Sequence, residues 1–131
     1  MSPDQKTKIL MIDDERFLLD IYKTYFEKEE YEVTTSYSAD TALDFLRAGL
    51  VPDVILFDIS IPESKSGYEF LEIVQHEHLA TRALKIALTN EGQPGEIART
   101  TELGANAHLI KAEFTPSELV ATVTQLLLKH R

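Results

Sequence analysis

Two kinds of hydrophobic spacing take turns along this chain. Short, nearly continuous apolar runs stand at Ile9 to Ile12, Val54 to Phe57 and Leu84 to Leu88, the pattern of parallel strands covered by helices on both faces. Weaker runs at Tyr31 to Thr35 and Ala107 to Ile110 read as edge strands. Between the runs, Leu18, Ile21, Tyr22 and Tyr25 recur at three-to-four-residue spacing, as do Leu119, Val120, Val123, Leu126 and Leu127. Each set predicts a helix with one apolar side laid on a sheet.

Boundary signals agree. Thr115-Pro116-Ser117-Glu118 combines an N-cap hydroxyl, proline at the first helical position and a carboxylate three residues on, so the last helix starts there. Ser66 with Glu69 repeats the capping-box spacing at the start of the third helix, and Gly49 and Gly104 suit the left-handed residue just past a helix end. Five strand-then-helix units result. They predict an α/β fold, an open, doubly wound, five-stranded parallel sheet whose ligands bind beyond the carboxyl ends of the strands, where strand order reverses.

Composition narrows the function. A chain of 131 residues is the size of one domain and long enough to bury roughly two-thirds of its unfolded surface. Residues 8–131 are read as that single domain, with 1–7 as a polar N-terminal extension. The net charge of −9, from 22 acidic and 13 basic residues, argues against direct nucleic-acid binding and against an anionic membrane surface. Without cysteine there is no disulfide framework and no thiolate metal site. With neither a signal-like N-terminus nor an apolar run of ~20 residues, a soluble cytoplasmic location is expected.

Two strands end in acid: Ile9 to Ile12 runs into Asp13-Asp14, and Val54 to Phe57 runs into Asp58. An aspartate after a strand is often only the N-cap of the next helix, a reading that suits Asp14 alone. Asp58, however, is followed by Ile59-Ser60-Ile61-Pro62 rather than a helix start. If the first and third strands are neighbours, three carboxylates share one crevice and repel unless a cation neutralises them. Oxygen ligands with room for water favour Mg²⁺. Thr89 ends the fourth strand and Lys111 follows the fifth, adding a donor and a cation to the same rim. That set suits phosphoryl transfer, a reaction of positioning and charge stabilisation. Asp58 is the nucleophile of this picture, giving an aspartyl phosphate.

From Ile9 to Leu127 the chain resembles the receiver domain of two-component response regulators. The motifs are the paired acids of ILMIDDE, the aspartate with proline four residues on in LFDISIP, GYEFL opening the third helix, the threonine of ALTN and the lysine of GANAHLIK. The resemblance implies a CheY-like, flavodoxin-like sheet of strand order 2-1-3-4-5. It implies that Asp14, Asp58 and the backbone carbonyl of Ser60 ligate Mg²⁺, with Asp13 acting through a metal-bound water. Lys111 would pair with Asp58 or its phosphoryl group, and Thr89 would move to hydrogen-bond a phosphoryl oxygen. The donor would be a phosphohistidine on a sensor histidine kinase or phosphotransfer domain. A downstream protein would read the face made by the fourth helix, fifth strand and fifth helix. Such a domain is a signalling module rather than an enzyme, although it catalyses its own phosphorylation and slow dephosphorylation. With no output domain on the chain as given, output by protein contact is expected.

Four departures from the family pattern are visible. His108 stands where the family generally has tyrosine or phenylalanine, so a switch residue able to titrate near neutral pH is expected there. Ala112 replaces the proline after Lys111, where the family has a cis bond. A cis bond is expected here too, at a cost of about 2.5–4 kcal/mol before a non-proline residue. The turn Pro62 to Gly67 is one residue longer than the family's usual turn, and Asn90 stands in place of a small residue. Ser60 and Glu91 fall at positions that tune hydrolysis. Of the rivals, an FMN-binding module lacks a phosphate-cradling loop after the first strand, where Asp13-Asp14-Glu15 would repel the ligand. An aspartate-nucleophile phosphatase wants an acid where Ser60 stands. A receiver that signals without phosphorylation fits poorly with an intact Asp13, Asp14, Asp58, Thr89 and Lys111 set. His76, His78 and His130 lack metal-ligand spacing, and Glu27, Glu29 and Glu30 read as a solvated helix end.

Overall fold

A computed structural model describes residues 5–59, 66–90 and 93–130. Five strand-helix units follow one another: β1 (Thr7–Ile12), α1 (Arg16–Lys28), β2 (Tyr31–Ser36), α2 (Ala39–Arg47), β3 (Val54–Asp58), α3 (Gly67–His76), β4 (Leu84–Thr89), α4 (Pro94–Glu102), β5 (Ala107–Ile110) and α5 (Pro116–His130), with a 3-10 turn at Lys111–Glu113 before α5. The strands form one parallel sheet in the order β2-β1-β3-β4-β5, as the sequence predicts. β1 begins at Thr7, paired with Tyr31, so the strand takes in the last residue of the segment read as an extension.

Successive strand residues point to opposite faces, and both faces are covered, which is why the apolar runs of the central strands are nearly continuous. Leu10, Ile12, Ile55 and Phe57 pack with α2 and α3 residues such as Leu43, Phe70 and Val74. Ile9, Met11, Val54 and Leu56 pack against Leu19 and Phe26 of α1 and Leu119 and Val123 of α5. The edge strands are less buried, and β2 is tied across to α5 by a 2.7 Å hydrogen bond between the hydroxyls of Tyr31 and Thr124.

The predicted caps are present. In α3, Glu69 N donates to Ser66 Oγ while Ser66 N donates to the Glu69 carboxylate. In α5, Glu118 N donates to Thr115 Oγ1 and Thr115 N to Glu118 Oε1. Gly49 and Gly104 have φ of +111° and +105°, the left-handed conformation expected past α2 and α4.

The chain leaves β1 for the β2 edge and then crosses back to β3, so strand order reverses between β1 and β3. Ile12 lies beside Phe57 and Asp58 beside Leu88 in the strand register. The acidic residues after β1 and at the end of β3 therefore come to the same height at the switch point, where such sheets bind ligands.

Candidate functional site

Asp13 and Asp58 are almost wholly buried and Asp14 is exposed. One carboxylate oxygen from each lies within 4.8 Å of the other two. Asp13 N donates to Ser36 O, which continues the β1–β2 ladder one residue beyond Ile12, and Asp13 Oδ1 accepts from Glu15 N at 3.0 Å. The close approach of α3 fixes the other wall. Gly67 N donates to Ile59 O at 2.8 Å, and a Cβ at Gly67 would stand 2.7 Å from Ile59 Cα and 3.1 Å from Asp58 O. Only glycine lets the third helix start so near the end of β3.

Lys111 closes the site from the end of β5. Its Nζ lies 2.8 Å from Asp13 Oδ2, 2.9 Å from Glu15 Oε2 and 3.1 Å from Asp58 Oδ2. The contacts to Glu15 and Asp58 are directed hydrogen bonds. Asp13 Oδ2 is close enough for an ion pair, but it is buried and accepts no well-directed hydrogen bond. Burial alone would lower the Lys111 pKa, but Asp13, Glu15 and Asp58 outweigh it and hold the ammonium charged well above the ordinary lysine value. The Asp13 pKa is raised because burial outweighs the attraction of Lys111 and the hydrogen bond from Glu15 N. The two shifts have different main causes: the carboxylates around it raise Lys111, and burial raises Asp13.

That donor set fits a hard divalent cation. It consists of oxygens alone, it lies at a strand-end crevice, and it includes a buried carboxylate oxygen with no hydrogen-bond partner. The Ser60 carbonyl, expected as a further ligand, lies outside the described residues, as do Glu91 and the turn from Pro62 to Lys65.

Thr89 is buried at the end of β4 beside Ile110, outside the ion-pair cluster. His108 pairs in register with Ala87, which places His108 and Thr89 on the same side of the sheet. The His108 Nε2 lies 3.3 Å from Glu96 Oε1 of α4, and its Nδ1 is buried without a partner. Arg99, also on α4, stacks on the Tyr68 ring of α3 at 4.0 Å. Asn90 is exposed.

The expectation of a cis bond at Lys111–Ala112 is overturned: no peptide bond among the described residues is cis. A trans bond avoids the cost of cis before alanine. The 3-10 turn at Lys111–Glu113 brings the lysine to 3.1 Å from Asp58 without it. Sequence reasoning also missed Glu15 as a partner of Lys111. The signal was present in the third acid of Asp13-Asp14-Glu15, which was read only as a source of repulsion.

Comparisons with known proteins agree with this geometry. The family model for the response regulator receiver domain matches residues 9–124. Response regulator SaeR of Staphylococcus aureus is 34% identical over 125 residues, covering 95% of this chain and 52% of SaeR. This chain thus spans about half the length of the curated relatives it matches. A CheY-like receiver domain protein from Methanospirillum hungatei superposes with a TM-score of 0.85 at 26% identity, covering 96% of this chain and 97% of that one. Chemotaxis response regulator CheY4 of Vibrio cholerae gives 0.83 at 25%, covering 93% and 99%. With the family model matched over residues 9–124 and the fold shared with solved receiver domains, the chain belongs to the response regulator receiver domain family.

Proposed function

We propose that this domain takes a phosphoryl group onto Asp58 in a Mg²⁺-dependent reaction and passes the change to a protein-binding surface, as part of a phosphorelay. The observation that carries this reading is the directed contact of the Lys111 ammonium with Asp58 Oδ2 at 3.1 Å, beside the Asp13 and Asp14 carboxylates. The Asp58 oxygen attacks phosphorus, the bond from phosphorus to the donor's imidazole nitrogen breaks, and the imidazole leaves with a proton from solvent. Lys111 offsets charge on the transferring oxygens, and Asp13 and Asp14 hold the cation. Mg²⁺, when bound, supplies charge neutralisation and a template for the phosphoryl oxygens. The donor is a sensor histidine kinase or a phosphotransfer domain, and the setting is cytoplasmic.

Thr89 is the proposed reader of the phosphoryl group, with His108 the residue that relays its movement towards α4 and the α4–β5–α5 face. Support comes from their common side of the sheet and from the contact of His108 with Glu96 of α4. The test is intact-mass measurement after incubation with acetyl phosphate and Mg²⁺. One added phosphoryl group is expected on the wild type and none on Asp58→Asn. An unlabelled wild type, under conditions that label a control receiver, would refute the proposal.

A further inference from the structure

We propose that Glu15 is a positioning residue for Lys111, holding the ammonium over Asp58 from the solvent side. The inference rests on Asp58 being the phospho-acceptor and names a residue that sets up its charge partner. Lys111 makes two directed hydrogen bonds to carboxylates, one to Asp58 and the other to Glu15. The lysine stem is long and rotamer-rich, and its head meets the buried oxygens Asp13 Oδ2 at 2.8 Å and Asp58 Oδ2 at 3.1 Å on one side and the half-exposed Glu15 carboxylate at 2.9 Å on the other. Glu15, 96 residues away in sequence on the β1–α1 connection, is the anchor on the solvent side and the second directed hydrogen bond of the ammonium.

The local structure of Glu15 supports this use. It occupies the N-cap position of α1, yet its side chain makes no capping hydrogen bond. Serine, threonine, aspartate or asparagine is favoured at an N-cap because the short side chain reaches back to the helix amides. Here the longer carboxylate forgoes that role and spans to Lys111, while its backbone is pinned by Glu15 N donating to Asp13 Oδ1 and Leu19 N donating to Glu15 O. The Glu15 side chain is 52% exposed, so the pair adds little to stability. What it supplies is direction, through a directed hydrogen bond to the ammonium from the exposed rim.

Glu15→Ala removes both the charge and the acceptor, whereas Glu15→Gln removes the charge alone. Rates of Asp58 labelling by acetyl phosphate at saturating Mg²⁺ are compared with the side-chain ¹⁵N–¹H signal of Lys111, recorded without any phosphodonor. Glu15→Ala is expected to slow labelling about three- to tenfold, the scale of a lost orienting contact at a half-exposed site, and to broaden or lose the Lys111 signal. Glu15→Gln is expected to stay within about twofold of wild type and to keep the signal. Any other pattern in a labelled protein overturns the proposal, including equal slowing in both variants, which would make Glu15 a charge effect only. If the wild type is not labelled at all, the acceptor reading fails, and the Lys111 signal alone decides whether Glu15 holds the lysine.

Discussion

Asp13 is the residue whose removal tests the electrostatics of the site most sharply, because the expected change in stability reverses the usual outcome of altering a buried, paired side chain. Oxygens of Asp13 and Asp58 lie within 4.8 Å of each other, and two unit charges at that distance repel by about 3.5 kcal/mol at an effective dielectric of about 20. Lys111 returns part of this, but the raised Asp13 pKa shows that burial and repulsion outweigh attraction. Without metal, Asp13→Asn should therefore raise the melting temperature. Mg²⁺ should do the opposite to the ranking. At a hundredfold excess over its dissociation constant it stabilises the wild type by about 2.7 kcal/mol, or about 10 °C for a domain of this size, and Asp13→Asn should lose more than half of that gain.

The pH dependence carries its own sign. A carboxylate whose folded-state pKa is raised binds protons more readily when folded, so its destabilising effect is full above the folded pKa. That effect is relieved as pH falls through the folded pKa towards the unfolded value of 3.8. The metal-free advantage of Asp13→Asn should shrink over that window. Thermal melts in EDTA and in Mg²⁺, from neutral pH downward, give all three quantities. A lower metal-free melting temperature for Asp13→Asn, or an undiminished Mg²⁺ shift, would show the reasoning to be wrong.

Three further outcomes are expected. Gly67→Ala puts a Cβ 2.7 Å from Ile59 Cα and should cost about 1–3 kcal/mol, with the largest amide chemical-shift changes at Asp58 and Ile59. Changes confined to α3 would contradict it. Lys111→Met takes the ammonium away from the buried carboxylates and should cost about 3 kcal/mol in metal-free protein at neutral pH. Because the folded pKa of Lys111 is raised, the deficit should persist up to the unfolded value of 10.5 and fade only as pH rises through the folded value. Urea melts at pH 7 and pH 10 would check it, and a gap already closed at pH 10 would count against the assignment. Thr115→Ala breaks the reciprocal cap of α5 and should cost about 1 kcal/mol, seen as a lower urea midpoint with an unchanged slope.

The elements that could be read from the sequence were those whose local pattern and tertiary role coincide. The runs at Ile9, Val54 and Leu84 are nearly continuously apolar because both faces of the sheet are covered. Ser66, Glu69, Thr115 and Glu118 satisfy helix ends by contacts three residues apart, which spacing alone exposes. The acidic strand ends were legible because each acid directly follows an apolar run, and the register that sets Ile12 beside Phe57 brings them together. What stayed hidden depends on three-dimensional reach. Glu15 to Lys111 spans 96 residues, and the requirement for Gly67 arises from the backbone of Ile59 rather than from a turn. The Lys111–Ala112 bond was misread because the family pattern was carried over to a position whose proline is absent. There the cost of a cis bond before alanine decides the matter.

The two ends of the proposed signalling path are built with unequal rigidity, and that inequality bears on how a charge at Asp58 could be felt at a surface. Asp13, Asp58 and Lys111 are buried and joined through the Lys111 ammonium, with the two aspartates at the ends of β1 and β3, whose side chains fill both cores. α4 is attached more lightly. Among its described residues Thr100 alone is buried, its N-cap residue Gln93 makes no side-chain cap, and its charged contacts are Glu96 to His108 and Arg99 over Tyr68. An element with few buried apolar contacts is displaced at low free-energy cost. His108 brings a buried Nδ1 with no partner, so its present place is not one that satisfies both ring nitrogens. A change at Thr89, on the same side of the sheet, thus has a weakly held helix to act on, through a side chain with a hydrogen bond still to gain.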